Sequence, residues 1–87
     1  MFYLYILRNK NNLLYIGQTN NLHRRLQDHR NKNSAKYVKD YGDFDLVYKE
    51  EFSTRAESMK REKQIKGWTR AKKEALIAGN MVLLKRL

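Results

Sequence analysis

The sequence predicts an α+β fold in which helices flank a small three-stranded antiparallel sheet, in the order β-β-α-α-β-α-α. Three observations carry this prediction: an aromatic hairpin at the start of the chain, a third strand-like segment in the middle, and helix-capping residues in the basic segments around it. Eighty-seven residues without cysteine or proline support one core and exclude disulfides. We therefore expect a single domain over residues 1–87.

The first two strands are expected to form a hairpin. Residues 2–7 and 13–16 are rich in aromatic and β-branched side chains, which favour strands. Between them, the Asn-Lys-Asn-Asn sequence of residues 9–12 has the chemistry of a turn. Gly17 is expected to end the second strand.

The middle of the chain predicts two helices and the last strand. Thr19 or Asn20 can cap a helix that runs to about Arg30, because their side-chain oxygens can accept from free backbone amides. Residues 34–41 predict a second, short helix. Residues 44–52 are again aromatic and β-branched, so we expect them to form the third strand.

The last third of the chain is expected to be helical. Thr54 and Glu57 fit a Ser/Thr-x-x-Glu capping box, and Gly67 suits the left-handed residue that often ends a helix. A second threonine cap predicts a helix over about residues 70–78. Residues 81–87 are expected to add a final helical turn or two against the core.

The charge is strongly positive and unevenly distributed. Nineteen basic and nine acidic residues give a net charge of +10, with +6 in residues 1–40, −3 in residues 41–57 and +7 in residues 58–87. Such an oriented basic field attracts phosphate backbones, so nucleic acid is the expected partner. The alternatives are a merely soluble basic surface and an anionic membrane surface.

The location expected from the sequence is the cytoplasm. The apolar run at the start of the chain is too short to span a membrane. Its order of charges is also wrong for a signal peptide. We therefore expect no membrane partner.

The first helix carries a candidate catalytic pair. Arg25 and His29 lie one turn apart and border the Leu22 and Leu26 stripe that is expected to face the sheet. Arg24 points away from that stripe and is free to contact the backbone of a ligand. The alternative is that the arginine and the histidine serve only in packing.

The hairpin carries candidate tyrosines. Tyr3 and Tyr5 share one face of the first strand, and Tyr15 lies on the second. If Tyr5 pairs directly with Tyr15, their hydroxyls project together, whereas a slip of one residue sends them to opposite faces. The alternative is a set of amphipathic strand tyrosines without a further role.

Glu62 breaks a local rule. Counting by threes from Ala56 through Met59 and Glu62 to Ile65 gives the row expected to face inward. A carboxylate in an inward row is either paired with a cation or placed there for function. Glu57 needs no such explanation, because the capping box accounts for it.

Together these residues resemble the GIY-YIG nuclease superfamily over nearly the whole chain. Tyr3-Leu4-Tyr5 stands in the place of the first triplet, and Tyr15-Ile16-Gly17 matches the second triplet unaltered. Residues 17–29 look like the family's loop and Arg-x-x-x-His helix, and residues 55–68 look like the helix that bears its metal-binding glutamate. The basic stretch of residues 66–73 is similar to that of small stand-alone bacterial members, which are related to the nuclease domain of the excinuclease C subunit.

The resemblance implies a role for each matching residue. Tyr15 would orient or deprotonate the attacking water with Tyr5 close by, although the ordinary pKa of tyrosine is about 10. Arg25 would stabilise charge on the phosphoryl oxygens. His29 would support or relay a proton. Glu62 would hold a single divalent cation, Mg²⁺ or Mn²⁺, since one carboxylate with waters and substrate phosphate is a typical magnesium site.

The chain also departs from the family's pattern. Tyr3 stands where the first triplet has glycine, and Asn80 is a candidate, without a matching motif, for the family's asparagine near the C-terminal end of the domain. We expect no extra domain for sequence recognition. The expected phosphate-contacting surface consists of basic residues on several helices: Arg24, Lys60, Arg61, Lys63, Lys66, Arg70, Lys72 and Lys73.

The sequence therefore predicts a metal-dependent endonuclease that hydrolyses DNA with low sequence specificity or by recognising structure. The first alternative is a non-catalytic nucleic-acid-binding module that retains the fold. The second is a basic interaction protein on a ribonucleoprotein surface. An inward Glu62 favours catalysis, because a pure nucleic-acid binder has no need of a carboxylate there.

Overall fold

Three antiparallel strands form the sheet of the computed structural model, which describes residues 1–30 and 44–87. The strand order is β2-β1-β3. The strands are β1 (Phe2–Asn9), β2 (Leu14–Thr19) and β3 (Phe44–Phe52). The helices are α1 (Leu22–Arg30), α2 (Arg55–Lys66), α3 (Arg70–Ala78) and α4 (Met81–Arg86). The predicted α+β class is confirmed, while the helix expected over residues 34–41 falls outside the described residues.

One face of the sheet carries the core. Leu4 and Ile6 of β1 are fully buried and pack with Ile16 of β2 against Ile65 of α2 and Leu76 of α3. Burying each such side chain contributes roughly 1.5–3 kcal/mol. Because side chains alternate along a strand, the odd-numbered residues of β1 lie on the other face of the sheet, together with the residues of β2 that pair with them.

Within residues 1–30 and 44–87, no helix is long and apolar enough to cross a membrane.

Gly17 does not end β2, contrary to the prediction. The strand continues to Thr19, and Gly17 lies directly opposite Tyr5 of β1. A Cβ atom at position 17 would stand 2.5 Å from the Tyr5 hydroxyl oxygen and 2.6 Å from the ring carbon that bears it. The glycine is therefore a point of close approach within the strand, where it makes room for the Tyr5 ring.

Replacing Gly17 by alanine is expected to destabilise the fold by about 1–3 kcal/mol, because Tyr5 is nearly fully buried and its rigid ring has no room to withdraw. Urea unfolding of the two proteins measures this loss. Gly67→Ala is the matched control: its new Cβ would meet nothing closer than 3.5 Å, and its φ of −82° suits alanine. Equal stability of the two variants would contradict the close approach.

The start of α1 differs from the prediction by one residue. Asn21, rather than Thr19 or Asn20, caps the helix, since its Oδ1 accepts from the Arg24 amide at 3.0 Å. The Thr19 hydroxyl accepts from the Asn21 amide at 3.2 Å and so holds the capping residue in place. The shift follows from the greater length of β2, which keeps Thr19 in the sheet.

The later helix ends agree with the sequence except at Gly67. Thr54 caps α2 by accepting from the Glu57 amide at 3.2 Å. Gly67 was expected in the left-handed region but is right-handed, at φ −82°. Its amide donates to the Gln64 carbonyl at 3.2 Å, a tight turn that requires no left-handed residue. Gly79, at φ +71°, is the left-handed residue that ends α3.

A charged network joins the hairpin to α3. The Arg8 guanidinium contacts both carboxylate oxygens of Glu74, at 2.5 and 2.8 Å. Arg70 Nε donates to the same carboxylate at 2.9 Å, and its Nη2 donates to the Asn12 carbonyl at 2.6 Å. The hydrogen bond from Arg8, with help from Arg70, lowers the pKa of the Glu74 carboxyl to about 2.

Glu74→Gln is expected to lower stability at pH 7 by about 1 kcal/mol, the upper range for an exposed ion pair, since the Glu74 side chain is 34% exposed. A depressed pKa stabilises the folded state above about pH 4.5, and this contribution disappears as the pH falls towards 2. Unfolding free energies at pH 7, 4.5 and 2.5 measure the effect. Glu51→Gln is the control, because it removes the same charge from an exposed position of β3 that has no ion pair in the described chain. A Glu74→Gln effect that persists unchanged at pH 2.5 would refute the explanation.

Candidate active site

Tyr5 and Tyr15 lie on the same face of the sheet, opposite the core. Tyr5 is opposite Gly17, and Tyr15 is opposite Leu7. The direct pairing of the two tyrosines considered above does not occur, but a shift of two residues keeps the face. Their ring centroids are 6.2 Å apart with planes inclined at 37°. Tyr5 is nearly fully buried and Tyr15 is half-buried, so Tyr15 is the more accessible hydroxyl.

The apolar stripe of α1 lies over this tyrosine-bearing face. Leu22 and Leu26 line a cavity of about 410 Å³ together with Tyr3 of β1 and Lys49 of β3. Lys49 is the register partner of Tyr5. The orientation of α1 is therefore the one that its periodicity predicts, with the leucines towards the sheet.

Arg25 lies in the first turn of α1, next to the end of β2. Its exposed side chain lines two cavities there, one with Arg24 and Asp28 and the other with Arg55 of α2. Arg24 lines only the first of these, so the two neighbouring arginines do differ in what they face. His29 follows one turn later in α1, and its side chain lies outside the described part.

The inward row of α2 is not the predicted one. Ser58 and Ile65 are fully buried, whereas Met59 is 47% exposed and Ala56 is also exposed. Counting by threes fails because each step turns the helix by 300°, so three steps reach the opposite side. The buried stripe has the spacing i, i+4, i+7 from Ser58, and Glu62 belongs to it with a side chain 22% exposed.

Glu62 faces the β2 side of α2. Arg61 lies on one flank of the buried row of Ser58 and Ile65 and binds Glu50 of β3 at 3.0 Å. Glu62 lies on the other flank of that row, which is turned towards the opposite edge of the sheet. The Glu62 carboxylate pairs with Lys66 at 3.0 Å. Glu62 and Arg25 share no hydrogen bond or ion pair in the described chain. Since α2 packs on the core face of the sheet, Glu62 and the two tyrosines lie on opposite sides of the sheet.

The donor set around Glu62 fits one kind of metal site. Residues 1–30 and 44–87 hold no cluster of three or more histidine, cysteine or acidic side chains that could surround an ion. Magnesium, however, commonly takes one or two carboxylates and completes its shell with waters and substrate phosphates. Glu62 offers a half-buried carboxylate whose Oε2 contacts a lysine. It therefore fits such an open site and not an all-protein cage.

Half of the predicted phosphate-contacting residues already have partners within the protein. Arg61, Arg70 and Lys66 are in ion pairs, and the Lys72 ammonium lies 4.6 Å from the centroid of the Trp68 ring. Burial, with help from Glu50, raises the pKa of Tyr48 beside Arg61 to about 12. The others have no ion pair in the described chain: Arg24, Lys60, Lys63 and Lys73.

Two cavity-lining residues escaped the sequence analysis. Arg55 stands at the first position of α2, and its side chain shares a cavity with Arg25. Lys49 faces α1 from β3. Strand alternation places Tyr5 on one face of the sheet, and its register partner Lys49 lies on the same face. The sequence does not show which residues are register partners, so it did not single out Lys49. Asn80 caps α4, since its Oδ1 accepts from the Leu83 amide at 3.1 Å.

The comparisons with known proteins agree with this fold. A family model for the GIY-YIG catalytic domain matches residues 1–75, so the chain belongs to the GIY-YIG nuclease superfamily. Among its relatives, a UPF0213 protein of Clostridium perfringens is 43% identical over 82 residues, which cover 94% of this chain and 88% of the relative. A UPF0213 protein of Natronomonas pharaonis is 40% identical over 76 residues, covering 87% and 89%.

A solved structure resembles the chain as well. The solution NMR structure of a UPF0213 protein from Bacillus halodurans superposes with a TM-score of 0.59 at 37% sequence identity. The match covers 90% of this chain and 84% of that one. The resemblance that the two tyrosine triplets predicted is therefore confirmed at the level of family and fold.

Proposed function

We propose that this protein is a metal-dependent endonuclease that hydrolyses DNA phosphodiester bonds with low sequence specificity or by recognising structure. The observation that carries the proposal is the pair Tyr5 and Tyr15, whose ring centroids lie 6.2 Å apart on one face of the sheet. The α1 helix, which carries Arg25, lies over that face. Membership of the superfamily supports the nuclease class. The net charge of +10 supports a polyanionic substrate.

Each side chain has a defined task in this proposal. The half-buried Tyr15 orients the attacking water or accepts its proton, and the buried Tyr5 positions Tyr15. Arg25 is in no ion pair in the described chain, with Asp28 lining one of its two cavities, and its planar guanidinium suits two non-bridging oxygens of a phosphate. His29 relays a proton. Glu62 would hold a divalent cation, which would supply Lewis acidity at the phosphoryl group.

One observation favours a second candidate, a nucleic-acid-binding module without catalysis. Lys66 neutralises Glu62 at 3.0 Å, and a carboxylate kept only for such a pair needs no metal. The two functions make opposite predictions for Glu62. Removing its charge abolishes cleavage by a nuclease, but leaves a pure binder with equal or higher affinity for DNA.

The test is an incubation of the pure protein with supercoiled, branched and single-stranded DNA, and with RNA of the same sequences. Each substrate is incubated with Mg²⁺, with Mn²⁺ and with a chelator. We expect nicked or cut DNA in proportion to the protein, in metal only. Salt-sensitive binding without cleavage of any substrate would favour the binding module, and preferential cleavage of RNA would overturn the assignment of DNA.

A further inference from the structure

Six arginines of the described chain fall into two groups. Arg8, Arg61 and Arg70 are each bound by a carboxylate. In the described chain, Arg24, Arg25 and Arg55 have no carboxylate within ion-pair distance, and all three line cavities around the turn between β2 and α1. Three of the four described arginines without an ion pair therefore lie around this turn, and the fourth, Arg86, lies at the end of α4.

One of these cavities has the lining of an anion site. It encloses about 180 Å³ between the start of α2 and the end of β2. Arg25 and Arg55 contribute two guanidinium groups, and Gln18, Thr19 and Asn20 contribute neutral polar groups. No acidic residue is among its lining residues. Two like charges on one cavity repel each other, and an oxyanion bound between them removes that cost.

Gln18 adds a donor to this cavity. Its Oε1 accepts from the buried Ser58 hydroxyl at 3.2 Å. The hydroxyl shares its single proton with the Arg55 carbonyl, which is 2.8 Å away. The contact ties β2 to α2 and leaves the amide Nε2 of Gln18 as a donor. The side-chain chemistry of the cavity is therefore cationic and hydrogen-bond donating, which matches the non-bridging oxygens of a phosphate group.

The cavity continues into its neighbours. Asn20 lines three cavities: this one, the one beside Arg24 and Asp28, and the one beside Tyr3 and Lys49. Arg25 lines the first two of them. A nucleic acid strand that crosses the tyrosine-bearing face at Lys49 can therefore follow the turn between β2 and α1 to Arg55. Among the residues that line the three cavities, only Asp28 is acidic.

We propose that Arg55 binds a second phosphate of the nucleic acid strand, next to the phosphate that is cut and that Arg25 contacts. The inference deepens the proposed function and rests on it for the identity of the ligand as a nucleic acid. Arg55 is a substrate-binding residue here, and it takes no part in the bond-breaking step. Its arginine fork suits bidentate contact with a phosphate.

The test measures the binding of a short fluorescein-labelled DNA strand by fluorescence anisotropy, in chelator, at several salt concentrations. Arg55→Ala is expected to weaken binding about tenfold, as expected for one charge-assisted phosphate contact. It is also expected to reduce the slope of log affinity against log salt by about 0.7, since one phosphate contact is lost. Arg55→Lys should keep the slope and lose part of the affinity.

Arg86→Ala is the matched control, because it removes an arginine from the last turn of α4, outside these cavities. We expect its affinity to stay within about twofold of the wild type. Equal effects of Arg55→Ala and Arg86→Ala on affinity and slope would overturn the inference. The Arg55 side chain is exposed and has no ion pair in the described chain, so the variant is expected to fold.

The failure of this inference is distinguishable from failure of the proposed function. Binding is measured in chelator, so an absence of cleavage by the wild type leaves the Arg55 result standing. Metal-dependent nicking by wild-type protein, combined with an Arg55→Ala variant that binds like wild type, would overturn the second phosphate site alone.

Discussion

Replacing Arg25 by alanine is expected to lower the rate of DNA nicking at saturating DNA and Mg²⁺ by about 100-fold or more, the usual loss when one stabilising group is removed from a developing anion. The side chain is exposed and has no ion pair in the described chain, so the folding stability should hardly change. Conversion of supercoiled to open-circular DNA measures the rate, and thermal unfolding checks the fold.

Arg24→Ala is the control for this substitution. Arg24 is the adjacent exposed arginine and lines one of the two cavities that Arg25 lines. Its loss should weaken DNA binding while leaving the rate at saturation within a few-fold of wild type. Arg25→Lys retains the charge without the bidentate fork, so we expect an intermediate rate. An Arg25→Ala protein that nicks at the wild-type rate would remove Arg25 from the catalytic centre.

Replacing Glu62 by glutamine is expected to cause a similarly large loss of nicking, together with a marked increase in the Mg²⁺ or Mn²⁺ concentration needed. Glutamine keeps the shape but removes the charge, and a divalent cation then has no carboxylate on this side of α2. The lost pair with the exposed Lys66 should cost only about 0.3–0.5 kcal/mol. A metal titration of the nicking rate, with DNA affinity measured in parallel, tests this prediction.

Glu57→Gln is the control for Glu62, because both residues lie on α2 and glutamine still serves in a capping box. It should nick DNA like the wild type and require the same metal concentration. DNA affinity of the Glu62→Gln protein should be unchanged or higher, since a negative charge is lost. If this variant nicks at the wild-type rate in the same Mg²⁺, Glu62 is merely the partner of Lys66.

Local chemistry made most of the fold predictable. The asparagine-rich turn, the Thr54–Glu57 capping box and the threonine before α3 each act within a few residues, so the sequence displays them. Gly67 and Gly79 show the limit: both follow helices, but only Gly79 has positive φ. The difference lies in how the next helix continues, which is decided by packing.

Contacts between distant segments were not predictable. Gly17 looks like a strand terminator until β1 is laid beside it and the Tyr5 ring fills its missing side chain. Arg8 and Glu74 are 66 residues apart in sequence. Arg55 likewise has no distinguishing local pattern, and only the approach of α2 to the end of β2 shows that it faces Arg25.

The candidate site divides in the same way. The alternation of Tyr3 and Tyr5 along β1 predicted a shared face, and the register of the hairpin brings Tyr15 to that face. The inward position of Glu62 was predicted by counting along Ala56, Met59, Glu62 and Ile65, which is not the buried stripe of α2. Glu62 nevertheless lies in the buried stripe, between Ser58 and Ile65. Periodicity identifies a face of an element, whereas it does not identify which distant residues meet that face.

The most direct test of the account compares the wild type with the Glu62→Gln protein, purified in parallel by the same steps. Single-turnover cleavage of labelled DNA is measured for both, in Mg²⁺ and in chelator. The account predicts metal-dependent cleavage by the wild type, at least about 100-fold slower cleavage by the variant, and equal or tighter DNA binding by the variant. Equal cleavage by both preparations, or no cleavage by the wild type on any DNA that it binds, would contradict it.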